Sequence, residues 1–257
     1  MSNGMFDLGG KVAIVTGGNG GIGLGIARGL AEHGANIVVA ARNEEKTSAA
    51  IEEIEAIGVK AIGLRTDVKD EPSVKGMIAS TLGEFGRIDI LVNNAGIGIR
   101  KDPQDYTLDE WNQIIDINLT GTFLPCREVF SHMKGQGGGK IVNIGSMTSI
   151  FGHDFVMPYS ASKGGVVQLS KSLAIAWAKY NIQVNTILPG WIETDLTEPL
   201  RREERFAERY KLISARIPHG RWGVPNDMAG TAVFLSSSAS DYVTGVSIPV
   251  DGGYTSF

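Results

Sequence analysis

Strands and helices alternate along this chain from its first apolar run to its last, and the first junction between them is a cluster of glycines. Lys11 to Thr16 (KVAIVT) is rich in β-branched residues and predicts a strand. Thr16-Gly17-Gly18-Asn19-Gly20-Gly21-Ile22-Gly23 follows, and an apolar period from Ile22 to His33 predicts a helix. The pattern repeats. Asn36 to Ala41 is a second strand, and Glu44 to Ile57 a helix with Ile51, Ile54 and Ile57 on one stripe, stopped by Gly58. Lys60 to Thr66 is strand three, Ser73 to Phe85 a helix with Pro72 near its start, and Ile88 to Val92 a continuous apolar strand of the kind buried on both faces.

Leu108 to Met133 reads as one long helix, kinked where the Pro125 ring leaves the Gly121 carbonyl unbonded. Lys140 to Ile144 is strand five, Met157 to Tyr180 an Ala- and Gly-rich helix, and Ile182 to Leu188 strand six. Glu198 to Ala215 and Asn226 to Leu235 read as helices, and Val246 to Val250 as the last strand. Such alternation predicts an α/β fold: one open, mostly parallel, seven-stranded sheet with helices on both faces and ligands at the carboxyl ends of its strands. With no internal repeat and no linker, residues 1–257 are expected to form one domain, with a substrate loop or lid at about 190–218.

Composition narrows the function. A net charge of −4, without any basic block, argues against nucleic acid. No apolar run reaches membrane-spanning length, and Met1 to Gly10 lacks a signal pattern. One cysteine, Cys126, has no partner for an internal disulfide and suits a reducing compartment, so a cytoplasmic protein is expected. Four histidines without paired spacing predict no metal site.

The glycine cluster carries chemistry in its strand–helix context. Free N–H groups at a helix start attract phosphate, and glycines let a pyrophosphate approach the backbone. Both G-x-G-x-x-G (Gly18, Gly20, Gly23) and T-G-x-x-x-G-x-G (Thr16, Gly17, Gly21, Gly23) can be read there. Further along, Tyr159 and Lys163 form an i, i+4 pair on the helix after Pro158. Alone, Y-x-x-x-K describes an ordinary surface helix start. If the ammonium lies beside the phenol, it should pull the Tyr159 pKa from about 10 towards neutrality and suit it to acid/base work on an alcohol oxygen.

Taken together, the front glycine motif, Asn93-Asn94-Ala95-Gly96, Asn118, Ser146, Tyr159 with Lys163, and Pro189-Gly190 resemble the short-chain dehydrogenase/reductase family, across about Leu8 to Tyr254. The resemblance implies a Rossmann-type doubly wound fold and hydride transfer between NAD(P) and a secondary alcohol or ketone. It implies Tyr159 as general acid/base, Lys163 as its electrostatic partner and ribose ligand, Ser146 as the holder of the reacting oxygen, and Asn118 as the holder of a relay water. It implies cofactor contacts from Gly17, Asn19, Gly20, Gly21, Ile22 and Gly23. Asp67 and Val68 would meet adenine, and Asn94, Ala95 and Gly96 the ribose and pyrophosphate. Pro189, Gly190, Ile192 and Thr194 would meet the nicotinamide end. It also implies a homotetramer.

Strand two ends in Ala40-Ala41-Arg42-Asn43, with no carboxylate for an adenosine 2′-hydroxyl. Arg42 offers a forked donor to a 2′-phosphate, so NADP(H) is expected over NAD(H), with NAD(H) possible. Ser146, Met147, His153, Met157 and Trp191 are the residues expected around a small-molecule substrate. The Arg216 to Gly223 run is similar to that of sugar-acid dehydrogenases of the gluconate and deoxygluconate type. The alternatives are a 3-oxoacyl-thioester (acyl-carrier-protein) reductase and a catalytically idle NADP-sensing protein.

Overall fold

The computed structural model describes residues 4–256; Met1–Asn3 and Phe257, which the one-domain expectation includes, lie outside the described residues. Seven strands form one sheet: β1 (Val12–Thr16), β2 (Asn36–Ala41), β3 (Ala61–Arg65), β4 (Ile90–Asn93), β5 (Gly139–Ile144), β6 (Ile182–Pro189) and β7 (Ser247–Val250). Their spatial order is β3-β2-β1-β4-β5-β6-β7, and all six neighbouring pairs are parallel. The order reverses between β1 and β4, so the loops leaving these two strands diverge and open a crevice at the carboxyl edge.

Side-chain alternation along each strand feeds two cores. Ala13, Val15, Ile37, Val39, Ile90, Val92 and Val142 point to one face, where α1 (Gly21–Glu32) and α2 (Glu44–Glu55) lie. Val12, Ile14, Val38, Ala40, Leu91 and Ile141 point to the other, against α3 (Glu71–Phe85). Asn43 caps α2 by accepting from the Lys46 N–H at 2.8 Å, and Asp70 caps α3 by accepting from Ser73 at 3.0 Å. Gly58 and Gly86 stand just past α2 and α3 with φ of 105° and 72°, a region that favours glycine at a helix end.

The long helix expected from Leu108 to Met133 is three pieces: α4 (Leu108–Ile115), a π-turn over Asp116–Thr120, and α5 (Gly121–Gly135). Pro125 lies inside α5, so the break falls one turn earlier than its position alone suggests. Gly121 sits there because a Cβ would come within 2.6 Å of Val68 Cγ2. After β5 comes α6 (Met157–Trp177), whose Gly165 lets Leu119 of the π-turn pack close: a Cβ would meet Leu119 Cδ2 at 2.9 Å.

The segment after β6 is also divided, into α7 (Glu198–Arg202), a 3-10 turn (Glu204–Phe206) and α8 (Ala207–Ala215). It has a core of its own, in which Leu200, Ile213 and Ile217 bury against Met147, Phe155, Trp191, Trp222 and Tyr254. Finally, Pro225–Met228 makes a 3-10 turn into α9 (Ala229–Ser236), which returns to pack on α1.

Candidate active site

A cleft of about 370 Å³ opens at the carboxyl edge of β1, β4, β5 and β6. One end is the glycine turn. Gly17 has φ of 63°, and a Cβ there would lie 2.9 Å from Asn94 Nδ2. The Asn94 amide in turn donates to the carbonyls of Thr16 and Gly17 at 3.0 and 3.1 Å. The Thr16 hydroxyl accepts from the N–H groups of Asn94 and Ala95 at 3.0 and 3.1 Å. The turns leaving β1 and β4 are thereby locked together, with Gly17, Asn19, Gly20, Gly21, Ile22, Asn94, Ala95 and Gly96 on the cleft wall. Gly23 is not on that wall. A Cβ there would fall 2.2 Å from the Gly17 carbonyl, so this glycine permits the turn to close on the helix.

The middle of the cleft holds Ser146, Tyr159 and Lys163. Ser146, just beyond β5, accepts from both the N–H and the hydroxyl of Thr148 at 3.1 Å. With both lone pairs engaged, its own proton is directed elsewhere, and it hydrogen-bonds the Tyr159 phenol. The Lys163 Nζ lies 5.7 Å from the Tyr159 ring centroid, on the expected side of α6. Its hydrogen bond, however, goes to the Ile144 carbonyl at 2.7 Å.

The expected electrostatic pairing is therefore corrected. Burial raises the Tyr159 phenol above its ordinary value, opposed by the Ser146 hydrogen bond and by a positive charge that belongs to Arg100, not Lys163. Burial also pulls Lys163 down to about 8. The i, i+4 spacing brings the ammonium near the phenol, but the Ile144 carbonyl accepts its hydrogen bond.

Asn118 is the fourth of the residues expected to be catalytic. Buried in the π-turn, its Oδ1 accepts from the Ile97 N–H at 2.8 Å, while its amide donates to the Ile97 carbonyl and the Ser162 hydroxyl, each at 3.0 Å. The side chain is occupied as a clip between the β4 loop and α6, and it does not reach the cleft wall. Asn93 works one layer below, tying β4 to β5 through Asn143 Oδ1 at 2.8 Å and to the buried Cys126 thiol at 3.1 Å. Burial pushes that thiol up to about 12.

Of the residues expected around a substrate, Met147, His153 and Trp191 line the cleft with Ser146, and Met157 does not. Met157 opens α6 outside that wall, on which Phe155 and Val156 stand. The His153 ring stands edge-on to Phe155 and Trp191 at 4.7 and 6.0 Å, and burial lowers its pKa. Pro189, Gly190, Ile192 and Thr194 complete the wall on the β6 side. Arg42, Asn43, Asp67 and Val68 sit at the ends of β2 and β3, outside this wall. Arg42 is exposed and its side chain has no partner among the described residues. The Asn43 side-chain oxygen caps α2, accepting from the Lys46 N–H.

Sequence reasoning missed Arg100. It lines the cleft, donates to the Leu196 carbonyl at 2.6 Å, and shares an electrostatic interaction with Tyr159. Burial lowers its pKa, yet a guanidinium keeps its charge at neutral pH. The available signal was a lone arginine ending the apolar, glycine-spaced loop Gly96-Ile97-Gly98-Ile99.

The geometry can accept a dinucleotide along the glycine turn and an oxygen-bearing carbon against Ser146 and Tyr159, with a cation beside it. Known proteins agree with that reading. Residues 17–255 match a family model described as enoyl-(acyl carrier protein) reductase. The chain is 44% identical over 250 residues to a 2-dehydro-3-deoxy-D-gluconate 5-dehydrogenase of Dickeya dadantii, covering 97% of each. It is 40% identical over 251 residues to a gluconate 5-dehydrogenase of Gluconobacter oxydans, covering 98% of this chain and 97% of that one. A gluconate 5-dehydrogenase from Burkholderia cenocepacia, solved in complex with NADP and tartrate, superposes with a TM-score of 0.92 at 41% identity over 98% of both chains. Whole-length matches at this identity, on top of the Ser146–Tyr159–Lys163 cleft, place the chain in the short-chain dehydrogenase/reductase family.

Proposed function

We propose that this protein is an NADP(H)-dependent oxidoreductase that interconverts a secondary alcohol and a ketone on a sugar acid. The observation that carries the substrate class is Arg100, a cation on the cleft wall within electrostatic reach of the Tyr159 phenol. A carboxylate held there fixes one end of a polyhydroxy chain and leaves a carbon further along it at Tyr159. The relatives named for gluconate and deoxygluconate chemistry support the same class.

The residues present fit the nucleotide. Gly17 and Gly21 leave the backbone bare where a pyrophosphate would rest, and Arg42 is free for a 2′-phosphate at the end of β2. NADP(H) when bound supplies or accepts the hydride. Gly17, Asn19, Gly20, Gly21, Ile22, Asn94, Ala95 and Gly96 would hold its phosphates and adenosine ribose. Arg42 and Asn43 with Asp67 and Val68 would hold its adenosine end, and Lys163, Pro189, Gly190, Ile192 and Thr194 its nicotinamide end. In the reducing direction Tyr159 gives its proton to the ketone oxygen, which Ser146 holds through a second hydrogen bond. Lys163 stands behind the phenol, and Asn118 positions the loop and α6 around them.

The family model's description and the first alternative above both name acyl-carrier-protein chemistry. The test is a rate panel on the purified protein: gluconate and deoxygluconates with NADP+, 5-ketogluconate with NADPH, and acetoacetyl thioesters with NADPH. Turnover of sugar acids, with a KM raised at least tenfold by Arg100→Gln, is the expected result. Activity confined to thioesters overturns the substrate class, and no turnover of any of them favours a nucleotide-sensing role. NAD(H) is expected to serve as the poorer cofactor.

The same reading includes a single catalytic domain with residues 190–218 as its substrate lid, a cytoplasmic location and a homotetramer. Cys126, buried and without a disulfide, supports a reducing compartment. No described helix is long and apolar enough to cross a membrane.

A further inference from the structure

Between β5 and α6 the chain passes through His153-Asp154-Phe155, and both His153 and Phe155 line the cleft. This stretch is fastened to α8. Arg209 donates to Asp154 Oδ1, and its guanidinium covers the Phe155 ring, with Cζ 3.7 Å from the centroid. The same Asp154 oxygen lies 2.9 Å from His153 Nδ1, although the two are not aligned as a hydrogen bond. A carboxylate oxygen can only accept. A bare nitrogen lone pair set against it at that distance would be repelled, so Nδ1 carries the ring proton. Burial lowers the pKa of the ring against the pull of Asp154, and near pH 7 it therefore holds that one proton only. Nε2 is left as a bare acceptor. It has no hydrogen-bond partner among the described residues, and of the two ring nitrogens only Nδ1 is sealed from solvent.

We propose that His153 selects sugar acids bearing a hydroxyl on the carbon beside the carboxylate, accepting a hydrogen bond from it at Nε2, and disfavours acids with a 2-oxo group there. The proposal rests on the sugar-acid reading of the cleft, in which Arg100 holds the carboxylate. Arg100 and His153 share an electrostatic interaction, so the atom next to that carboxylate falls to the imidazole. A hydroxyl can turn its proton to a bare nitrogen. A ketone oxygen only accepts, and against Nε2 it would set two lone pairs face to face. Nothing else on this side relieves the mismatch: the Phe155 ring, 4.7 Å away, has no donor, and Trp191 Nε1 is sealed from solvent. Asp154 acts through His153 as a positioning residue, fixing which nitrogen is bare. An amide in its place can donate to Nδ1, which moves the ring proton to Nε2 and turns the acceptor into a donor.

Steady-state rates of the full chain with NADP+ test this on D-gluconate and 2-dehydro-D-gluconate, which differ only at that carbon. 2-Deoxy-D-gluconate, with no oxygen there, serves as the internal reference for each variant. The wild type should favour gluconate over the 2-oxo acid by about tenfold or more in kcat/KM, one hydrogen bond made against one mismatched, with most of the difference in KM. His153→Gln, whose amide can donate or accept, should bring that ratio to within about twofold of unity. Asp154→Asn should lower the ratio at least about fivefold while kcat/KM for the 2-deoxy acid moves less than about twofold. The proposal is overturned if the wild type takes the 2-oxo acid as well as gluconate or better. It is also overturned if His153→Gln keeps the wild-type ratio, or if Asp154→Asn leaves that ratio unchanged or raises it. A wild-type chain that turns over none of the three acids overturns the sugar-acid reading itself, and this proposal with it.

Discussion

At the residue scale the site is governed by where two protons go. The Tyr159 phenol is held protonated by burial, with Ser146 and Arg100 only partly offsetting it. Lys163 is pulled down to about 8 by burial alone. Near pH 7 the free protein therefore carries a neutral phenol and a charged ammonium, the state that gives a proton to a ketone. A phenolate should appear only above the ordinary tyrosine value of about 10. Ultraviolet titration of the wild type minus Tyr159→Phe, without nucleotide, should show no phenolate step below that pH. A step near neutrality would return the Lys163–phenol coupling that the helical spacing suggests. Tyr159→Phe itself should abolish turnover while NADPH binding remains measurable. Linkage adds a sign for Lys163. Its folded pKa lies below the 10.5 of a free lysine, so the unfolded chain holds the proton longer. Its contribution to stability thus rises with pH between about 8 and 10.5 and is least favourable below that window.

At the element scale, the close approach of α1 to α9 depends on glycine. A Cβ at Gly29 would lie 2.5 Å from Ala229 Cβ, and one at Gly25 would lie 2.5 Å from the Pro225 carbonyl. Gly29→Ala is expected to gain helix propensity and still lose stability, by about 1–3 kcal/mol, because the helices must part. A fall of several degrees in Tm is the measurement; an unchanged or raised Tm would show that α9 yields freely. The strands, the helices and their alternation were legible in the sequence, because period-2 and period-3.6 apolar patterns are local. So was the set Ser146, Tyr159 and Lys163. The π-turn at Asp116–Thr120 was not legible, since the apolar pattern runs through it and the extra residue is absorbed by packing against Gly165 and Val68. The displacement of Met157 from the cleft and the arrival of Arg100 were hidden for a related reason. Both depend on how loops from β4 and β5 face one another, which no single stretch encodes.

On the scale of the whole molecule, the apolar side chains left at the surface are unevenly placed. Ile175 on α6 is 83% exposed, and Tyr242, just before β7, is fully exposed. Leu108 and Phe123, on α4 and α5, are also uncovered. Two such surfaces, each repeated by two-fold symmetry, would close a tetramer. Light scattering on the purified protein should give four copies, and Ile175→Asp should reduce the assembly to dimers or monomers. A wild-type monomer would end the tetramer reading while leaving the cleft as it is.

The interlock of the glycine turn also bears on how such a protein can be re-engineered. Gly17 and Gly23 are hemmed in by backbone and by Asn94, so almost any side chain introduced there collides with atoms that have nowhere to move. The corner at Arg42 is different, because that side chain is exposed and has no partner among the described residues. A library aimed at switching the coenzyme should therefore leave the turn untouched and spend its diversity at that corner, where variation is sterically free.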